Sequence, residues 1–233
     1  MVFLPEGGVS VQSLKVLFIG NSYTYYNDLP GMISQLAGSS DEPRQIDTRI
    51  VAFGYKTLEW HYGNPESLDA IRQADWDIVV LQEHSRRPVE DRGKMFEYAS
   101  KLDGEIKSSG ARTVLYLTWA RRHIPGMQEG LTYAYFFLAR TLGARVAPVG
   151  MAWQKALRAN PALKLHKRDK SHPTPLGSYL AACVFYATLF RTSPVGLTGT
   201  IVDGSNEILT LQEKKASFLQ SIAWETLQEL RNQ

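Results

Sequence analysis

Lys15-Val16-Leu17-Phe18-Ile19-Gly20-Asn21-Ser22 is a run of large apolar residues that stops abruptly at Gly-Asn-Ser. Apolar neighbours without polar alternation need cover on both faces, as strands do inside a parallel layered sheet. Gly20 permits a tight turn, because glycine adopts backbone angles closed to other residues. The turn leaves a serine hydroxyl at a strand tip. If a helix follows, its free N–H groups face the space above Ser22 and can hold an oxyanion. Two readings of Ser22 stand at this point: a nucleophile, or a helix cap. The nucleophile elbow G-x-S-x-G does not fit, since Thr24 occupies the last glycine position.

Outward from this strand, strand and helix signals alternate. Strands are expected at 15–19, 47–53, 77–82, 113–118 and 145–149. Helices are expected at 29–36, 65–73, 92–108, 128–142, 152–158, 177–190 and 211–231. Asn27-Asp28 and Pro30 start the first of these helices. This rhythm predicts an α/β fold, a mainly parallel sheet of about five strands with helices on both faces. Ligands of such sheets bind beyond the carboxyl ends of the strands. Ser22 follows the first strand, Gln82 and His84 the third, and Trp119 and Arg121 the fourth, so all belong to one rim. The stretch 192–210, rich in Gly, Pro, Ser and Thr, reads as a surface excursion. Without an internal repeat or a long linker, 1–233 is expected to be a single domain.

Composition narrows the function classes. The 233 residues are 44% hydrophobic and 21% charged, with a net charge of +3. This is an ordinary globular balance, and the absence of a basic run argues against nucleic acid as a partner. No segment holds the roughly 18 apolar residues that a membrane span needs. No signal peptide is visible at residues 1–6, which points to the cytoplasm, or to the periplasm or secretion if an upstream signal has been removed. The single cysteine, Cys183, has no internal disulfide partner and lies in an apolar run, as a buried packing residue does.

Near the other end, Asp169-Lys170-Ser171-His172-Pro173 precedes a long apolar helix. Spacing of i,i+3 lets one turn hold both side chains together. Asp169 can accept from Nδ1–H of His172, leaving Nε2 to take a serine proton. The competing reading is a solvated loop among Lys164, Lys167, Arg168 and Lys170. The chain order is Ser, Asp, His, and the serine and histidine can meet only through the fold.

Together these residues resemble the SGNH (GDSL) hydrolase superfamily over most of the chain. Ile19-Gly20-Asn21-Ser22 stands where the family has Gly-Asp-Ser, and Asp169-x-x-His172-Pro173 matches its last block. The run through Ser22-Tyr23-Thr24-Tyr25 is similar to a bacterial subgroup with a Gly-Asn-Ser-Phe/Tyr-Thr signature. The resemblance implies a three-layer α/β/α sandwich, a Ser22 nucleophile activated by His172, and hydrolysis of esters, often acyl groups on carbohydrates or lipids. It places Gly54 at the second-block glycine whose N–H joins the oxyanion hole. The third-block Asn is absent from Asp77-Ile78-Val79-Val80-Leu81-Gln82-Glu83-His84-Ser85. Gln82 is the nearest amide donor, and either completes the hole with the N–H groups of Gly54 and Tyr23, or ties down the loop after its strand.

Tyr25, Tyr55, His84, Trp119 and Arg121 are candidates to bind substrate. Aromatic faces suit sugar rings and equally suit packing under a sheet. Arginines can bind a carboxylate or phosphate or sit solvated at the surface. His61, His84, His123 and His166 lack metal-site spacing, and His166 reads as loop surface. No metal and no cofactor are expected. The preferred reading is a serine esterase acting on a small-molecule or carbohydrate ester. The alternatives are a non-catalytic carbohydrate- or small-molecule-binding protein on the same fold, and a flavodoxin-like phosphate binder, which the first turn, lacking a phosphate loop, disfavours.

Overall fold

The computed structural model describes residues 13–231. The elements follow in the order β1 (Leu14–Gly20), α1 (Ser22–Tyr25), α2 (Leu29–Gly38), β2 (Ile46–Ala52), α3 (Leu58–Tyr62), α4 (Pro65–Arg72), β3 (Ile78–Leu81), α5 (Arg87–Glu90), α6 (Arg92–Ser108), β4 (Arg112–Tyr116), α7 (Met127–Leu142), β5 (Arg145–Ala147), α8 (Val149–Ala159), α9 (Pro175–Phe190), β6 (Thr200–Asp203), β7 (Asn206–Thr210) and α10 (Glu213–Arg231). Five strands form one sheet in the order β2-β1-β3-β4-β5, and every pairing is parallel.

The opening strand shows why two layers of helices are needed. Val16 and Phe18 join one apolar cluster with α2, α8, α9 and α10. Leu17 and Ile19 join another with α4, α6 and α7. Successive strand side chains point to opposite faces, so an unbroken apolar run demands both clusters. Each fully buried side chain of this size contributes about 1.5–3 kcal/mol. The result is the three-layer α/β/α sandwich. Among the described residues β2 pairs only with β1, and it alternates between exposed and half-buried residues over most of its length, as an edge strand can.

α9 is buried on nearly every side, from Leu176 to Leu189. A helix apolar all round must be a core element, and here it lies against α2, α8 and α10. Its start is set locally. Thr174 accepts from the N–H of Gly177, and Pro175 occupies the first turn. Cys183 is wholly buried within it, and burial pushes its thiol up.

Several boundaries differ from the sequence expectation. β5 ends at Ala147, and Val149 already begins α8. Four-residue α1 and α5 and five-residue α3 are too short to leave a periodic signal. The excursion at 192–210 contains the antiparallel β6–β7 hairpin. Gln35 of α2 holds it, donating to the Val202 carbonyl and accepting from the Val202 N–H. No described helix is long and apolar enough to cross a membrane.

Candidate active site

β1 delivers Ser22 to the carboxyl rim of the sheet, beside β3, where the strand order reverses between β1 and β3. Gly20 has no positive φ. It is required for space, not for an unusual backbone angle. A Cβ there would lie 2.6 Å from both Gln82 Oε1 and Thr24 Oγ1. Asn21, not Ser22, caps α1, and its Oδ1 accepts from the Tyr23 N–H at 3.3 Å. Asn21 Nδ2 also donates to the Lys56 carbonyl, tying the turn to the loop after β2. Ser22 is thus free of the capping role.

The acid–base loop is a closed turn. Lys167 N–H donates to the His172 carbonyl, and Lys170 N–H to the Lys167 carbonyl. Lys170 adopts a left-handed conformation, φ 62°. Asp169 Oδ1 accepts from the N–H groups of Ser171 and His172, both at 2.9 Å. Its Oδ2 accepts from His172 Nδ1–H at 2.6 Å. Burial pushes the Asp169 carboxyl up, but these two N–H groups and the imidazole outweigh it and hold the carboxyl below its ordinary range. The other imidazole nitrogen, Nε2, lies 2.8 Å from Ser22 Oγ. With Nδ1 protonated towards the carboxylate, Nε2 is the acceptor for the serine proton. The geometry is that of a nucleophile, a base and an orienting acid.

Aromatic residues fix this loop from beneath. Tyr26 stacks on the His172 ring at 4.4 Å, and Tyr23 meets it edge-on at 5.7 Å. The Tyr23 hydroxyl bonds the Ser171 hydroxyl at 2.6 Å, and Trp119 Nε1–H donates to the Ser171 carbonyl at 2.9 Å. Tyr23, Trp119 and Trp153 form a continuous stack. Trp119 therefore anchors the histidine loop and is itself wholly buried. Tyr26 follows the nucleophile with Tyr23 and Tyr25, a position from which the sequence reading lets it line the cleft; Ser171 and Ser85 carry no sequence signal beyond that of their neighbours.

A cleft of about 230 Å³ is lined by Asn21, Ser22, Tyr23, Tyr55, His84, Ser85, Arg121, Asp169, Ser171 and His172. Tyr55, His84 and Arg121 thus stand with the serine and histidine, whereas Tyr25 and Trp119 lie outside this lining. Burial and the Arg121 charge hold the His84 imidazole below its usual range, so it is neutral near pH 7. Gly54 occupies the turn before Tyr55, and the Tyr25 hydroxyl lies 3.3 Å from where its Cβ would be. No acceptor for the Ser22 or Gly54 N–H occurs among the described residues.

Two expected oxyanion donors are engaged elsewhere. The Tyr23 N–H is directed to Asn21 Oδ1. Gln82 is wholly buried and does not line the cleft. Its Oε1 accepts from Asn21 N–H at 2.9 Å and Thr24 hydroxyl at 3.0 Å, and its Nε2 donates to the Glu83 carbonyl. These donors fix which end of the amide carries oxygen. Gln82 therefore clamps the nucleophile turn from below. Two histidines are likewise structural. His61 donates from Nε2 to the Gly20 carbonyl at 2.8 Å, and burial lowers its pKa to about 4. His166, expected at the loop surface, is buried and donates from Nε2 to the Ala120 carbonyl. Among the described residues no three or more His, Cys, Asp or Glu side chains cluster as a metal site.

Glu83 joins the two loops that frame the cleft. Its Oε1 accepts from the N–H groups of His84 at 2.5 Å and Leu58 at 3.3 Å, while buried Oε2 has no partner among the described residues. Burial pushes this carboxyl from 4.5 up to about 7. Below pH 4.5 both folded and unfolded chains hold the proton. Between 4.5 and 7 only the unfolded chain releases it, so stability falls as pH rises, by on the order of 3 kcal/mol. Thermal melts from pH 4.5 to 8 are expected to show this decline in the wild-type relative to Glu83→Gln. Parallel profiles would assign Glu83 an unshifted carboxyl.

No protein-family model matches the chain, and no curated protein matches its sequence. Among solved structures the chain is similar to a Slackia heliotrinireducens protein ascribed to the SGNH hydrolases. The identity is 29% and the TM-score 0.65, over 76% of this chain and 100% of that one. It is also similar to a DUF4886 family protein from Bacteroides uniformis, at 18% identity and TM-score 0.69, over 93% of this chain and 95% of that one. A third likeness is to Axe2, an acetylxylan esterase from Geobacillus stearothermophilus, at 14% identity and TM-score 0.60. It covers 78% of this chain and 94% of that one.

Proposed function

We propose that this protein, which has the SGNH-like hydrolase fold, is a serine esterase that cleaves carboxylic esters through an acyl-enzyme. The observation that carries the reading is the continuous relay from Ser22 Oγ through His172 to Asp169, at 2.8 and 2.6 Å. His172 Nε2 takes the serine proton as Oγ attacks the ester carbonyl. The imidazolium, held by Asp169, then gives that proton to the leaving alcohol. Water, deprotonated by the same nitrogen, releases the acid. The N–H groups of Ser22 and Gly54, which have no acceptor among the described residues, hold the developing oxyanion. The acetylxylan esterase among the similar structures supports a carbohydrate ester, with acetyl as the first acyl group to try.

A panel of p-nitrophenyl esters of increasing chain length and acetylated sugars tests this. Turnover by the wild-type and none by Ser22→Ala is expected. Tight binding of a sugar without Ser22-dependent turnover would favour a carbohydrate-binding protein on the same fold. Asp169→Asn is expected to lower kcat by about 10²-fold or more, and by less than loss of Ser22 or His172. The carboxylate orients and stabilises the imidazole but does not touch substrate. An Asp169→Asn enzyme with wild-type kcat would remove Asp169 from the relay.

A further inference from the structure

A second cavity, of about 410 Å³, opens beside the catalytic cleft, and Arg121 lines both. Arg122 and Arg158 join Arg121 in its wall, over an apolar floor that includes Trp153 and Leu157. Among the described residues no carboxylate lines it. None of the three arginines forms an ion pair among the described residues, although other lysines and arginines of the chain do. The Arg121 guanidinium is half-buried. One terminal nitrogen reaches Ser85 Oγ at 3.3 Å, and Nε is buried without a partner among the described residues. A guanidinium withdrawn from water keeps its charge and needs an anion or several acceptors to offset desolvation. The described residues supply neither.

We propose that the ester substrate carries a second, anionic group, a carboxylate or a phosphate, and that this cavity binds it. The inference rests on the esterase reading and specifies its substrate class. The ester sits over Ser22 while the anion engages Arg121 at the shared wall and the exposed Arg122 and Arg158 elsewhere in the same lining. Charge-assisted contacts to arginine are roughly twice as strong as neutral ones. They act on the part of the substrate away from the reacting carbonyl, so they set selectivity chiefly through KM.

Three acetylated methyl glycosides that differ only at C6 test this: a neutral methyl glucoside, a methyl glucuronide carrying a carboxylate, and a methyl glucoside 6-phosphate. The wild-type is expected to favour at least one acidic sugar over the neutral one by tenfold or more in kcat/KM. The arm that wins identifies carboxylate or phosphate as the group. Arg158→Gln, outside the catalytic cleft, is expected to lower the acidic-to-neutral ratio about tenfold. Arg140→Gln, on α7 and outside both cavities, leaves the ratio as it is. No preference for either acidic sugar, or a preference that survives Arg158→Gln and Arg122→Gln, would overturn the proposal. If none of the three is hydrolysed, the esterase reading fails on these sugars, and calorimetry with unacetylated methyl glucuronide and methyl glucoside 6-phosphate still reads the cavity. Binding lost in Arg158→Gln supports the anion site, and no binding of either overturns it.

Discussion

Ser22→Ala and His172→Ala are each expected to lower kcat on the best ester substrate by about 10³-fold or more, and the double variant by little beyond either. The reason is geometric. A serine hydroxyl is a weak nucleophile until a base removes its proton, and His172 Nε2 lies 2.8 Å from it. With either partner gone, the other has nothing to act on, so the second loss adds little. Hydrolysis that survives both substitutions would come from the surrounding donors and from binding alone. The measurement is kcat for the four enzymes in the double-mutant cycle. Losses that multiply would mean that the two residues act separately and would end the nucleophilic-pair reading. His172 is half-buried between Tyr23 and Tyr26, so melting temperatures should accompany the kinetics to separate misfolding from lost chemistry.

Gln82→Ala carries the second large effect, first on stability and then on rate. Gln82 Oε1 accepts from two buried donors, the Asn21 N–H and the Thr24 hydroxyl. Leaving such groups unpaired costs about 1–3 kcal/mol each. In a chain of this size each kcal/mol shifts the melting temperature by about 2–4 °C. A fall of roughly 5–15 °C is therefore expected. The kcat should fall with it, because the same contacts hold the turn that presents Ser22. The opposite pattern, an unchanged melting temperature with a kcat roughly 10²-fold lower, would restore Gln82 as an oxyanion donor. Melting temperature and kcat measured on this one variant decide between clamp and donor.

The two roles of Gln82 could not be separated in the linear chain. An amide at the tip of a central strand can turn up towards a substrate or down towards the preceding strand's turn. Its direction is set by Asn21, 61 residues earlier, and by Thr24, 58 residues earlier. Trp119 was readable as a cleft aromatic because it follows β4. Only the packed structure shows it stacked on Tyr23 and Trp153 and bonded to the Ser171 carbonyl. His166, expected at the loop surface because it lies in the segment leading to His172, is buried. Its own ring is covered by Trp153 and by the Ala120 carbonyl.

The amino-acid sequence by itself determined the alternation of strands and helices, the parallel sheet, and the two short segments that hold Ser22 and the Asp169–His172 pair. These depend on apolar periodicity, glycine and proline placement and i,i+3 spacing, which operate between residues close in the chain. Tertiary structure decided the rest. Ser22 and His172 meet across 150 residues. Glu83 loses its water to loops that fold over it, and Arg121 comes to stand between two cavities with no counter-ion among the described residues. Desolvation and hydrogen-bond pairing depend on which atoms share a space, and residues far apart in the chain come to share one only when the sheet and its helices close.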